Sequence, residues 1–121
     1  MYKRQDHYHL WFDLRHTGKD LEFCDAVDRY LGRLKEEGLI EGHRLARRKL
    51  GFGPAELGEF HIEILTTDMS QLERAFQRVG TRAPDIERLH AAVFSAVTGF
   101  RSALYRDFPD TFRARGAPGP A

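Results

Sequence analysis

The sequence predicts an α+β domain: one antiparallel sheet of three or four strands with helices on one of its faces. Three observations carry this. Residues 7–14 and 59–66 alternate apolar and polar side chains, so each reads as a strand with one greasy and one polar side. Thr17 and Asp68 each stand before a stretch with apolar residues at helical spacing, which Gly38 and Gly80 respectively close. The 121 residues fit one packing unit and leave no room for two independent cores.

Residues Met1 to Asp6 are polar and aperiodic, and read as a loose lead-in. The first strand places Tyr8, Leu10, Phe12 and Leu14 on one side, with His7, His9, Trp11 and Asp13 on the other. Thr17-Gly18-Lys19-Asp20 offers a capping box, after which Leu21, Cys24, Val27, Leu31 and Leu34 recur at helical spacing. Ile40 to Leu50 is a second extended segment, and its arginines suit a sheet edge. Its alternation is too weak to fix the phase: either His43, Leu45 and Arg47 or Arg44, Ala46 and Arg48 share a side. Gly51-Phe52-Gly53-Pro54 and Gly58 mark a loop, and Glu59 to Thr66 is the third strand.

Asp68, with Gln71 three residues on, caps a helix carrying Leu72, Ala75, Phe76 and Val79. After Pro84, the positions Ile86, Leu89, Val93, Val97, Phe100 and Leu104 keep helical spacing for nearly twenty residues, although Gly99 falls inside the run. A third helix is the preferred reading, and the competing one breaks it at Gly99 and makes 100–106 a fourth strand. The domain then spans 7–112, and the Gly/Pro/Ala-rich 113–121 reads as a disordered tail. With a right-handed first crossover, the order β-α-β-β-α followed by a helix or strand gives a ferredoxin-like arrangement.

Composition narrows the function classes. Nineteen Lys+Arg against eighteen Asp+Glu give a net charge of +1, which offers no electrostatic reason to invoke nucleic acid. No apolar run reaches the roughly 20 residues that cross a bilayer, so no membrane partner is expected. The single Cys24 cannot form an intrachain disulfide, and no signal-like start is present; a cytoplasmic location is the expectation.

If the first and third strands are neighbours, His9, Trp11 and Asp13 stand beside His61 and Glu63 on a face that no helix covers. Imidazoles titrate near neutrality and a nearby carboxylate fixes their tautomer, so His9 or His61 suits a general base and Asp13 or Glu63 its orienting partner. Trp11 offers a stacking surface and Arg48 a hold for an anion. The competing reading is structural: cross-strand hydrogen bonds among these residues merely hold a homodimer together. Metal ligands are not assigned, because no HExxH or CxxC is present and His7 lies at the strand's start. No cofactor is named by any motif.

His9-Leu10-Trp11-Phe12-Asp13-Leu14, Gly38-Leu39-Ile40-Glu41-Gly42, Arg47-Arg48-Lys49-Leu50-Gly51 and Ala103-Leu104-Tyr105-Arg106-Asp107-Phe108-Pro109-Asp110 resemble a family of short bacterial proteins known only as a domain of unknown function. The resemblance covers roughly residues 8–112 and implies no catalytic residues. At the level of architecture the chain also resembles the dimeric α+β barrel proteins, which include cofactor-free monooxygenases, dismutase-like haem enzymes and stress-responsive proteins. Fold does not settle function. The expectation is a homodimer that binds a small molecule in the His/Trp/acid cleft. The alternatives are an interaction module without a ligand, a cofactor-free monooxygenase-like enzyme, or a divalent-metal-binding protein; whether the chain is an enzyme at all stays open.

Overall fold

The computed structural model describes residues 5–110, 112 and 113. Strand β1 (Asp6–Leu14) leads through a single 3-10 turn, Thr17–Lys19, into helix α1 (Asp20–Glu36). Strands β2 (Gly42–Arg47) and β3 (Phe60–Thr66) follow, then helices α2 (Met69–Gly80) and α3 (Pro84–Phe94), and finally strand β4 (Val97–Arg106). The sheet order is β2-β3-β1-β4, and every neighbouring pair is antiparallel. This is the ferredoxin-like arrangement, with four strands rather than three.

The apolar side of each inner strand fixes the core. Leu10, Phe12 and Leu14 of β1 meet Phe60, Ile62 and Ile64 of β3 beneath the helices, and α1 adds Phe23, Val27, Tyr30, Leu31 and Leu34. Two details of α1 depart from expectation. Leu21 is exposed, and the first turn is capped by no side chain: Asp20 Oδ1 accepts from the next backbone N–H, at Leu21, at 2.8 Å. In α2 the expected cap is present, with Gln71 N–H donating to Asp68 Oδ1 at 2.8 Å. Gln71 is itself buried, and its Nε2 donates to Gly38 O and Glu41 Oε2 at 3.0 and 2.8 Å, which ties α2 to the end of α1.

The preferred third helix through Leu104 is wrong, and the competing strand is what forms. Helix α3 stops at Phe94, and β4 pairs with β1 from Val97 to Arg106. The register shifts between Trp11 and Asp13, where Gly99 adopts φ +65°. A bulge inserts one unpaired residue. On the helix side this converts strand alternation into Val97, Phe100, Leu104, a spacing of three and four that imitates a helix. Ser102, the small residue between Phe100 and Leu104, completes the imitation.

β1 begins at Asp6, inside the stretch read as a lead-in. Asp6 is buried, pairs with Thr66 and Arg106 across the sheet, and its carboxylate accepts from Arg106 Nε at 2.7 Å. Residues 1–4 and 114–121, which hold most of the expected lead-in and tail, lie outside the described residues. Among the described residues no helix is long and apolar enough to cross a membrane.

The three helices are joined at one end by charges. Arg78 of α2 donates to Glu37 at 2.7 Å and to Asp85 of α3 at 2.9 Å, while Arg33 of α1 donates to the same two carboxylates. The hydrogen bond from Arg78, aided by Arg33, holds the Glu37 and Asp85 carboxyls below the usual carboxylate range. Carboxyls depressed in the folded state contribute stability above their unfolded range, and lose it as pH falls through their folded values. The thermal midpoint of the native chain should therefore drop more between about pH 6 and about pH 3 than that of Arg78→Ala. Parallel slopes in a calorimetric pH series would remove the cluster from the account of acid stability.

Candidate functional site

Among the described residues, candidate side chains gather in two places, one on each side of β1. On the uncovered side the register sets His9 opposite Glu63, Trp11 opposite His61 and His7 opposite Leu65, while Tyr105 and Ala103 of β4 face His7 and His9. The phase of β2 is now fixed. Arg44 lies opposite Glu63 and Ala46 opposite His61, so Arg44 and Ala46 share this face while His43, Leu45 and Arg47 turn toward the helices.

The imidazoles form a chain. His9 Nδ1 lies 2.8 Å from His61 Nε2, His9 Nε2 lies 2.6 Å from His7 Nδ1, and His7 Nε2 lies 3.0 Å from Asp107 Oδ1. Glu63 Oε2 stands 3.6 Å from both His7 Nδ1 and His9 Nε2. Trp11 packs against His9 and His61, and Tyr105 against His7 and His9, so the rings are enclosed by aromatic neighbours. Burial lowers the pKa of His9, with His61 beside it acting in the same direction. Burial also lowers that of His61, where Glu63 opposes the shift and Arg44 adds to it.

The sequence brought together His9, Trp11, His61 and Glu63 correctly, but two other choices fall away from the cluster. Asp13 Oδ1 accepts from the backbone N–H of Glu59 at 2.8 Å, so it serves the entry into β3 rather than a histidine. There the chain passes so close that a Cβ on Gly58 would overlap the Phe12 carbonyl. Arg48 Nη2 donates to the carbonyls of Pro54 and Leu57 at 2.9 and 2.6 Å, which closes the β2–β3 loop. His7 was placed on this face but set aside for its position at the strand's start, and Asp107 was missed. The signal for His7 was the His-x-His alternation itself, since residues two apart on a strand share a face; Asp107 became visible only once 100–106 is a strand lying beside β1.

On the covered side, a cavity of about 350 Å³ lies between the sheet and the helices. Its walls are aliphatic, from Leu10, Ile62 and Ile64 below and Val27, Leu31, Ala75, Val79 and Val93 above. The polar groups are few: Tyr8, Tyr30 and His90. Burial pushes the Tyr30 phenol up to about 12, so it stays protonated as a donor. His90 packs on Phe94 and edge-on to Tyr30, while Phe76 and Phe100, both about half exposed, stand at the rim. His90 lies within α3, and nothing in the sequence foretells this space. Cys24 lies outside the cavity lining, and burial with Asp28 and Asp25 nearby raises its thiol pKa, away from nucleophilic use.

A family model described as a family of unknown function, DUF6614, matches residues 5–118. The chain belongs to that family. No curated protein matches it in sequence. Two solved structures share its fold. A mutant of SnoaB, a cofactor-independent oxygenase from Streptomyces nogalater, superposes with a TM-score of 0.65 at 14% identity, covering 91% of this chain and 98% of that one. A dimeric ferredoxin-like protein of unknown function from a Jannaschia species gives 0.61 at 12% identity, covering 84% of this chain and 97% of that one.

With the Asp107 carboxylate as acceptor, the distances fit one directed order: His7 Nε2–H donates to Asp107 Oδ1, His9 Nε2–H donates to His7 Nδ1, and His61 Nε2–H donates to His9 Nδ1. In chelator-treated protein, long-range ¹H–¹⁵N spectra should show all three rings as the Nε2–H tautomer. A Nδ1–H form at His9 would break the proposed order.

Proposed function

We propose that the protein is a homodimer that binds a small apolar, aromatic molecule in the cavity between the sheet and the helices. The observation that carries this reading is the cavity itself. The space of about 350 Å³ opens past the half-exposed Phe76 and Phe100, so an apolar molecule can enter and reach walls that the chain itself leaves unfilled. An apolar occupant gains dispersion contact with those walls and removes their apolar surface from water. The volume falls in the range of small-molecule sites, and the pattern of aliphatic walls with a few polar groups is the usual one. Tyr30 supplies a hydrogen-bond donor, and His90 a group that either donates or accepts.

The uncovered sheet face supports the dimer. Trp11, Leu65, Ala103 and Tyr105 give it an apolar content too large for a purely solvated surface, and two copies related by a two-fold axis cover it. The Jannaschia protein of similar fold is dimeric. The expected cleft over His9, Trp11, His61 and Glu63 therefore lies at the interface, and the small molecule belongs on the other side of the sheet.

Binding of 2-naphthol or 1-aminoanthracene, followed by fluorescence and calorimetry, tests the cavity. Native protein should bind one molecule per chain, Val79→Phe should abolish binding while keeping its helical circular dichroism, and Tyr30→Phe should weaken it by about 1 kcal/mol or fivefold. Equal binding by native protein and Val79→Phe would sink the assignment. In light scattering the native chain should have the mass of two copies, and Leu65→Arg that of one.

A further inference from the structure

The three groups His7 Nδ1, His9 Nε2 and Glu63 Oε2 converge on one point of the sheet face. Their separations are 2.6, 3.6 and 3.6 Å, which bracket the edge of about 3.3 Å expected for a tetrahedral ion with 2.0–2.1 Å bonds. All three side chains are largely shielded from solvent, at 16, 13 and 20% exposure. Two neighbouring imidazole nitrogens 2.6 Å apart hold one proton between them, and a cation can take the place of that proton with both lone pairs turned toward it. We propose that His7, His9 and Glu63 bind a divalent transition-metal ion of the zinc class, with coordination positions left for water or a small anion.

The surroundings suit this in three ways. The far nitrogen of His7 meets the Asp107 carboxylate at 3.0 Å, which is the carboxylate–imidazole support that orients metal-ligating histidines. The far nitrogen of His9 meets His61 at 2.8 Å, so both ligand rings are held from behind. Charge is favourable as well: the Glu63 and Asp107 carboxylates offset most of the charge that a dication adds beside Arg44. The donor set of two imidazoles and one carboxylate suits zinc, iron or manganese better than calcium, which wants oxygen, or copper(I), which wants sulfur.

Every ligand comes from one chain and from the face opposite the apolar cavity, so this proposal is independent of small-molecule binding. Protein stripped with EDTA is titrated with CoCl₂ and with ZnCl₂, following cobalt visible absorption and calorimetry. One ion per chain should bind with micromolar affinity or better. Glu63→Gln, His7→Gln and His9→Gln should each remove saturable binding, whereas His43→Gln and His90→Gln should leave it unchanged. His61→Gln, which alters only support for His9, should weaken it about 10- to 100-fold. In the zinc-loaded native protein His9 and His61 should both switch to the Nδ1–H tautomer, so that His9 Nδ1–H donates to His61 Nε2, while His7 keeps Nε2–H. Circular dichroism identifies the variants that fold, and any one of the three ligand variants that does is enough for the comparison. The proposal is overturned if native protein shows no saturable binding at micromolar metal, or if folded ligand variants bind as well as native protein. Loss of 2-naphthol binding in Val79→Phe with metal binding intact would show the two sites to be separate.

Discussion

The structure depends on β1 being an inner strand with two chemically opposed sides. Its pairing with β3 on one edge and β4 on the other satisfies the backbone of both sides of the strand. The side chains of Leu10, Phe12 and Leu14 are then committed to the helices. Because strand alternation has a period of two, this same commitment fixes His7, His9 and Trp11 on the opposite side; a slip by one residue would bury imidazoles in the core and expose Phe12. Hydrophobic burial on one side of the sheet thus holds the imidazole row in register on the other. No separate device is needed to align it.

The neighbouring strands complete each side in the same way. β3 contributes Ile62 and Ile64 to the floor of the cavity, and from the intervening positions it contributes His61 and Glu63 to the polar cluster. β4 sends Phe100 to the cavity rim and Tyr105 to the histidines, and the chain just beyond it brings Asp107 to His7. The bulge at Gly99 brings Val97 to the helix side as well. Without the extra residue, Phe100 and Tyr105, five positions apart, would keep the same opposed relation, but Val97 would move to the uncovered face. With the bulge, Val97 and Phe100 both turn toward the helices.

How much of this was legible in the sequence follows from which interactions are local. The strands β1 and β3, the cap at Asp68 and the edge placement of β2 rest on alternation and turn chemistry within a few residues, and these were readable. The last strand was not, because a bulge breaks the one periodic signal that identifies a strand, and Val97, Phe100 and Leu104 then carry the period of a helix. That error propagated: with 100–106 assigned to a helix, Tyr105 and Asp107 had no route to the histidines. Asp13 was read as a site residue from its type and strand phase and Arg48 from its charge, yet each is spent on loop backbone that no periodicity reveals. The cavity was the least legible feature, since apolar residues lining a space and apolar residues filling one have the same pattern.

The division of the sheet into an apolar and a polar side would also let the two proposed occupants coexist in so small a chain. An apolar guest over Ile62 and Ile64 needs dry walls and a single donor such as Tyr30, whose protonated state is enforced by the same burial that makes the walls dry. A cation on the other side needs neutral imidazoles, and burial of His9 and His61 favours that form. Both requirements are met by removing water, one on each side of β1. Closing the uncovered face with a second copy would dry the histidines further, and a bound cation would then join Arg44 in offsetting the Glu63 and Asp107 carboxylates. Dimerisation and occupation of the histidine cluster are then expected to favour one another.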